Sequence, residues 1–322
     1  MDALSEVLNT VRLDGAVYLN AEFGAPWCIR GRFGAATVRK WLPGSDHVVF
    51  FHYLVDGACK VRLADGGETF DVAAGDLVLF PQDDRHLMGS DLHVVPIETE
   101  HMVFRNSRDD GRLNVVQMGG GGATTRFVCS YLGCSRSAIR PLIDALPRLL
   151  RIPLGDGQGA TLVRELLRAG VRETSRTDPG AGTALAKLAE LLFVEALRRH
   201  VAGLPADERG WFAALRDVYV GRAISLLHES PARDWTVEEL ARRVALSRSA
   251  LAERFTTLIG EPPMQYLKRW RLAQAARSLR TTTETVGRIA EQCGYESEAA
   301  FTRAFKREFG LPPRAWRKND AA

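Results

Sequence analysis

The sequence predicts an α+β chain of several domains: an N-terminal β-barrel or sandwich, a helical middle segment, and an all-α C-terminal domain with two helix-turn-helix motifs. Three observations predict it. Short alternating apolar runs broken by Gly/Asp turns fill residues 16–132, helical periodicity takes over from Ile139, and the pattern of residues 237–263 returns at 286–313. A length of 322 residues suits two or three domains, placed at 1–135, 136–205 and 215–318.

In the first domain, Val48 to Val55 and Lys60 to Leu63 are strand-like, and Asp56-Gly57, Asp65-Gly66-Gly67 and Ala74-Gly75-Asp76 are turns. Gly119 to Gly122 reads as a flexible loop before a final strand, Thr125 to Leu132. Met1 to Leu13 carries acids and lacks a basic start followed by an apolar stretch, so no signal peptide is expected. No run approaches the ~20 apolar residues of a membrane helix. The five cysteines (Cys28, Cys59, Cys129, Cys134, Cys293) are odd in number and contain no CxxC, which reads as a reduced, cytoplasmic chain.

The middle segment shows helical spacing at Leu142, Leu146, Leu149 and Leu150, interrupted by Pro147 and Pro153. Ala160 to Glu173 and Ala184 to Val201 follow as amphipathic helices, suited to a spacer or a dimer contact. Gly203 to Arg209 reads as a linker.

The C-terminal repeat is the most informative feature. Val237, Leu240, Ala241, Val244, Leu251, Phe255, Gly260 and Pro262-Pro263 return as Val286, Ile289, Ala290, Cys293, Phe301, Phe305, Gly310 and Pro312-Pro313. Each copy is a short helix, a tight turn and a second helix. Thr236 to Glu239 forms a capping box with Glu239 reaching back, Trp235 and Leu240 sit where a hydrophobic staple would, and Ser247 caps the second helix. A connecting helix from Pro263 to Leu279 carries Lys268, Arg269, Arg271 and Arg277. Residues 231–322 hold 17 Lys+Arg against 11 Asp+Glu, whereas residues 1–230 hold 26 against 28. The positive surplus therefore lies wholly with the repeat, as a nucleic-acid reader requires. A protein-binding scaffold is the competing reading of the same helices.

Trp235 to Ala241, Gly260-Glu261-Pro262-Pro263, Tyr266-Leu267, Arg271, Ile289-Ala290, Gly294-Tyr295, Ser297, Phe301 to Lys306 and Gly310 to Pro313 resemble the AraC/XylS family of transcription regulators. The resemblance implies sequence-specific binding of double-stranded DNA, with two recognition helices in adjacent major grooves. It assigns Arg248, Ser249, Ala252 and Glu253 to the first reader, and Glu298, Ala299, Thr302 and Arg303 to the second, with Ser297 at its start. Chemically, Arg303 suits guanine O6/N7 and Glu253 the cytosine N4 amine, while Thr302, Lys306 and Arg271 suit phosphates. For Glu253 and Glu298 the competing reading is an ion pair with a neighbouring arginine.

Gly75 to His86 resembles the second cupin motif, with Asp83 where that motif usually has Gly. Phe51 to Gly57 resembles the end of the first motif, but the usual His-x-His and Glu ligands are missing there and Phe50 takes the Glu position. That departure counts against the alternative, a cupin-type metalloenzyme with a helical appendage, so no enzyme, cofactor or metal is expected. The resemblance to regulators with cupin-like sensors implies a small-molecule effector. Candidate effector contacts are His52, His86 and Cys129, which are also the residue types of a zinc site or of an ordinary core. Arg136 and Arg140 share a helix face and suit phosphates, a spacing similar to the arginine motif of cyclic-dinucleotide-binding PilZ domains. The partners expected are DNA, the effector, a second copy of the chain and RNA polymerase, with no membrane.

Overall fold

A computed structural model of the chain describes residues 3–10, 14–32, 34, 45–99, 115–134, 136–154, 161, 165, 181–205 and 207–318. In chain order the elements begin α1 (Ala3–Thr10), β1 (Asp14–Gly24), β2 (Cys28–Gly31), β3 (His47–Asp56), β4 (Ala58–Leu63) and β5 (Phe70–Ala73). They continue β6 (Asp76–Phe80), β7 (His86–Gly89), β8 (Ile97–Glu98), β9 (Val115–Gly119), β10 (Thr124–Cys134), α2 (Arg136–Ile143), β11 (Leu150–Pro153) and α3 (Ala181–Gly203). The remainder is helical: α4 (Trp211–Arg216), α5 (Val218–Glu229), α6 (Val237–Arg243), α7 (Arg248–Ile259), α8 (Pro263–Thr281), α9 (Val286–Gln292), α10 (Glu298–Phe309) and α11 (Pro313–Lys318). The helix expected over Ala160 to Glu173 lies almost wholly outside the described residues. Among those described, no helix is long and apolar enough to cross a membrane.

Two compact units result, and they do not follow chain order throughout. One comprises Leu13–Cys134 and Leu146–Ala202; the other comprises Met1–Arg12, Ser135–Ala145 and Gly203–Ala322. Thus α1 and α2 join the helical unit, where α1 packs on α5 and α2 on α8, while nearly all of α3 joins the β-rich unit.

The β-rich unit consists of two sheets, ordered β11-β6-β3-β10-β1-β9 and β5-β4-β7-β2-β8. Most neighbours are antiparallel, with β1–β9 and β2–β8 parallel. Side chains from both sheets meet in one core, including Phe23, Trp27, Phe50, Val61, Phe80, Met88 and Phe127. Phe23 and Phe127 meet edge-on at 5.0 Å, and Trp27 stacks on Phe127. The edge strand β11 was not evident from the sequence, because the leucines and prolines around it resemble a broken helix. Its position is held by Arg151, whose Nε donates to the buried carboxylate of Asp76 on β6 at 2.9 Å.

The glycine run 119–122 is a tight junction rather than a slack loop. Gly120 N–H donates to the Gly24 carbonyl and Gly122 N–H to that of Ala25, each at 2.9 Å. Gly119 has φ +114°, and a Cβ there would lie 2.0 Å from the Gly24 oxygen. Gly121 also has positive φ (+79°) but faces open space. Gly119→Ala is therefore expected to cost roughly 2–3 kcal/mol and Gly121→Ala about 1 kcal/mol. Chemical denaturation of the two variants checks this; equal losses would contradict the packing account.

Candidate nucleic-acid interface and effector site

The two helix-turn-helix copies are built from matching local interactions. Thr236 and Thr285 accept the N–H of Glu239 and Arg288 to start the first helices. Ser247 and Ser297 accept that of Ala250 and Ala300 to start the second. Each first helix ends the same way: Leu246 N–H reaches the Ala241 carbonyl (3.0 Å), and Tyr295 N–H reaches that of Ala290 (2.9 Å). This closure requires a left-handed residue, supplied by Ala245 (φ 57°) and Gly294 (φ 72°). Gly260 and Gly310, both left-handed, end α7 and α10. One sequence expectation fails in part. The Glu239 carboxylate is held by Arg233 and Arg243 rather than reaching back to complete a capping box.

With Leu251 and Phe255 buried, α7 presents Arg248, Ser249 and Glu253 outward, with Ala252 half-buried. Arg248 pairs with Glu238 at 2.9 Å on an exposed surface, and Ser249 lies 3.2 Å from the Ser247 hydroxyl. On α10, Phe301, Ala304 and Phe305 face inward, leaving Glu298, Ala299, Arg303 and Lys306 exposed and Thr302 half-buried. Glu298 lies 3.5 Å from the Arg314 guanidinium, the ion-pair reading of this acid. The structure gives Arg271 a job that the sequence did not disclose. Its Nε donates to the Pro231 carbonyl (2.6 Å) and a terminal nitrogen to that of Arg233 (2.8 Å). The same guanidinium lies 3.0 Å from where a Gly294 Cβ would stand, so Arg271 ties the approach to α6 to the turn of the second copy.

In the β-rich unit His52, His86 and Cys129 do come together. Pairing of β3 with β10 sets His52 opposite Cys129, and Gly31, opposite His86, leaves room for that ring. The direction of every hydrogen bond follows from one fact: the Asp84 carbonyl can only accept. His86 Nδ1–H donates to it (3.1 Å), leaving His86 Nε2 to accept from His52 Nε2–H (3.0 Å). His52 Nδ1 must then accept the Cys129 thiol proton (2.7 Å). The two nitrogens of His52 serve different partners, so the three residues do not converge on one point. Among the described residues no group of three or more His, Cys, Asp or Glu is placed to hold a metal ion. All three side chains are buried, with His86 stacked on Phe80 at 3.6 Å. Asp83, where the cupin pattern usually has Gly, takes the left-handed conformation (φ 58°) in the preceding turn. Arg136 and Arg140 lie on α2 in the helical unit, where Arg140 pairs with Asp144 at 3.1 Å.

Burial lowers the His52 pKa well below its usual value, with the neighbouring His86 adding to the effect. Burial likewise lowers His86 to about 4, against the opposing influence of Asp84. In the helical unit, burial takes His228 to about 3. On acidification the unfolded chain therefore takes up protons first, at its ordinary histidine pKa of ~6.5. Stability should be level above about pH 7 and fall as pH drops from about 6.5 through about 4. Melting temperatures across this range at fixed ionic strength check the sign; a constant Tm would overturn it.

A cupin family profile matches residues 2–202, and a helix-turn-helix domain profile matches residues 240–319. A "Putative AraC-like transcription regulator" of Streptomyces lividans is 33% identical over 320 residues, 99% of each chain. The HTH-type transcriptional regulator AlkR of Acinetobacter baylyi is 30% identical over 324 residues, again 99% of each. Among solved structures, the DNA-binding domain of AdpA in complex with a target DNA is 33% identical. That match covers 32% of this chain and 92% of that one, with a TM-score of 0.31. These full-length relatives are transcription regulators, which sets aside the reading as a metalloenzyme with a helical appendage. The chain belongs to the AraC-like transcription regulators, with a cupin domain followed by a DNA-binding helix-turn-helix domain.

Proposed function

We propose that the chain reads two successive major-groove segments of its operator with α7 and α10, under control of a small effector held by the β-rich unit. The observation that carries the reading is the presence of two matching, capped helix-turn-helix copies whose outward faces stay exposed. The 19-residue α8 joins them, and at 1.5 Å per residue it is roughly 28 Å long, comparable to one turn of DNA, roughly 34 Å. Arg248, Ser249, Ala252 and Glu253 form the first reading face; Ser297, Glu298, Ala299, Thr302 and Arg303 form the second. Arg303 is the principal base contact and Lys306 a phosphate contact, since neither has an ion pair or side-chain hydrogen bond among the described residues. Arg271 is assigned a positioning role, because two of its nitrogens already hold backbone carbonyls.

The effector is not assigned to His52, His86 or Cys129, whose polar atoms serve one another in a closed chain. A homodimer acting with RNA polymerase in the cytoplasm completes the proposal.

Fluorescence anisotropy on operator DNA recovered by selection tests the reading. Arg303→Ala should lose roughly 1–3 kcal/mol of preference for the selected site over random DNA. Equal losses on both DNAs would remove its base-reading role. Lys306→Ala should weaken both DNAs alike and make the slope of log K against log salt shallower by about one. An unchanged slope would remove the phosphate contact.

A further inference from the structure

We propose that the β-rich unit binds a small hydroxylated polyanion in a cleft formed by Arg30, Arg32, Asp84, Arg85 and Arg148. The proposal rests on the reading that this unit takes an effector, and it names the ligand's class and place. The cleft measures about 530 Å³, within the range of small-molecule sites. Its arginines come from distant parts of the chain: Arg30 on β2, Arg32 just after it, Arg85 just before β7, and Arg148 in the turn before β11.

Four guanidinium groups converging on one cleft repel one another unless negative charge is supplied. The protein supplies part of it. Arg30 pairs with Glu98 at 2.7 Å, Arg148 is shared by Asp84 (2.6 Å) and Asp65 (2.9 Å), and Asp83 also lines the cleft. Arg32 and Arg85 have no ion pair or side-chain hydrogen bond among the described residues, and both are exposed to the cleft. Two cationic forks are thus left for a ligand, each suited to a carboxylate or a phosphate. The Arg85 backbone is fixed: its carbonyl accepts the Ala64 N–H at 2.8 Å, and the next residue is the buried His86.

A third group defines the ligand further. Asp84 Oδ1 is engaged by Arg148, but Asp84 Oδ2 is buried without a hydrogen-bond partner. It needs a donor, and a hydroxyl placed beside the ligand's anionic groups would provide one. The class is therefore a molecule with at least two negative charges and a hydroxyl, such as a hydroxypolycarboxylate or a phosphorylated polyol. Gln82 donates to the Leu146 carbonyl (3.1 Å), two residues before Arg148, so the cleft anchors the segment that follows α2.

Isothermal titration calorimetry on the full chain at constant ionic strength tests this with citrate, tricarballylate, glucose 6-phosphate and sulfate. Saturable one-to-one binding of citrate marks a carboxylate ligand, and of glucose 6-phosphate a phosphate ligand. Either should weaken by about tenfold or more in the Arg32→Ala/Arg85→Ala double variant. That variant should keep the unliganded Tm, because the two exposed side chains have no ion pair or side-chain hydrogen bond to lose among the described residues. If citrate binds, tricarballylate, which lacks only the hydroxyl, should bind about tenfold more weakly; equal affinity would overturn the assignment to Asp84. No saturation with any probe, or undiminished binding by the double variant, would overturn the site. DNA affinity is not measured here, so failure of this proposal leaves the DNA reading intact.

Discussion

The two reading helices are useful to a DNA-binding protein only if their relative positions are fixed, and one helix, α8, fixes both. In its first half Tyr266 packs edge-on against Phe255 of the first copy (5.6 Å), accepts the indole N–H of Trp211 on α4 (3.0 Å) and donates its hydroxyl hydrogen bond to His228 on α5 (2.9 Å). His228 in turn stacks on Trp270 at 3.8 Å. Its second half supplies Leu272, Ala275, Ala276 and Leu279 to the core of the second copy, against Ile289, Phe301 and Phe305. Each large side chain fully buried there contributes about 1.5–3 kcal/mol, so neither copy can detach from α8 cheaply. Arg271, at the midpoint, is placed where the two halves meet.

The β-rich unit meets a different constraint, the placing of polar atoms in an apolar core. Burying imidazoles and a thiol among Phe50, Phe80 and Phe127 is tolerable only if each donor finds an acceptor. The chain from Cys129 through His52 and His86 to the Asp84 carbonyl meets that requirement with every group neutral. Its end at Asp84 is also the edge of the arginine cleft, so the residue that terminates the neutral chain begins the charged one. Core and cleft thus share a backbone position while differing in chemistry.

Local signals were the legible part of the sequence. Caps, turn residues and helical spacing depend on neighbours in the chain, and Thr236, Ser247, Thr285, Ser297, Gly260 and Gly310 all behave as their types demand. What escaped depends on partners far away. β11 is a strand because β6 offers it an edge, not because its own residues prefer one. Glu239 is drawn from its cap by Arg233 and Arg243, two flanking charges whose reach spacing does not reveal. The glycines at 119–122 read as slack because their use, close approach to Gly24 and Ala25, is visible only once β1 is beside them. Residue type alone nominates His52, His86 and Cys129 and does not show that their polar atoms serve one another.

The same dependence on partners makes the two readers unequal. In α7, Arg254 is tied to Asp217 (2.7 Å), whose carboxylate also caps α5, so it is not free for DNA. Arg248 has only an exposed pair with Glu238, worth at most about 1 kcal/mol, which a phosphate can displace. In α10, Arg303 and Lys306 need displace nothing. If the proposed faces meet DNA, electrostatic attraction concentrates on the second, and the first discriminates with Ser249, Ala252 and Glu253. Such groups suit small contacts, such as a methyl group against thymine or an acid against cytosine, and they gain little from charge. On the proposed reading, a repeat that looks symmetric in sequence divides its work: one copy supplies most of the attraction, and the other reads by fit.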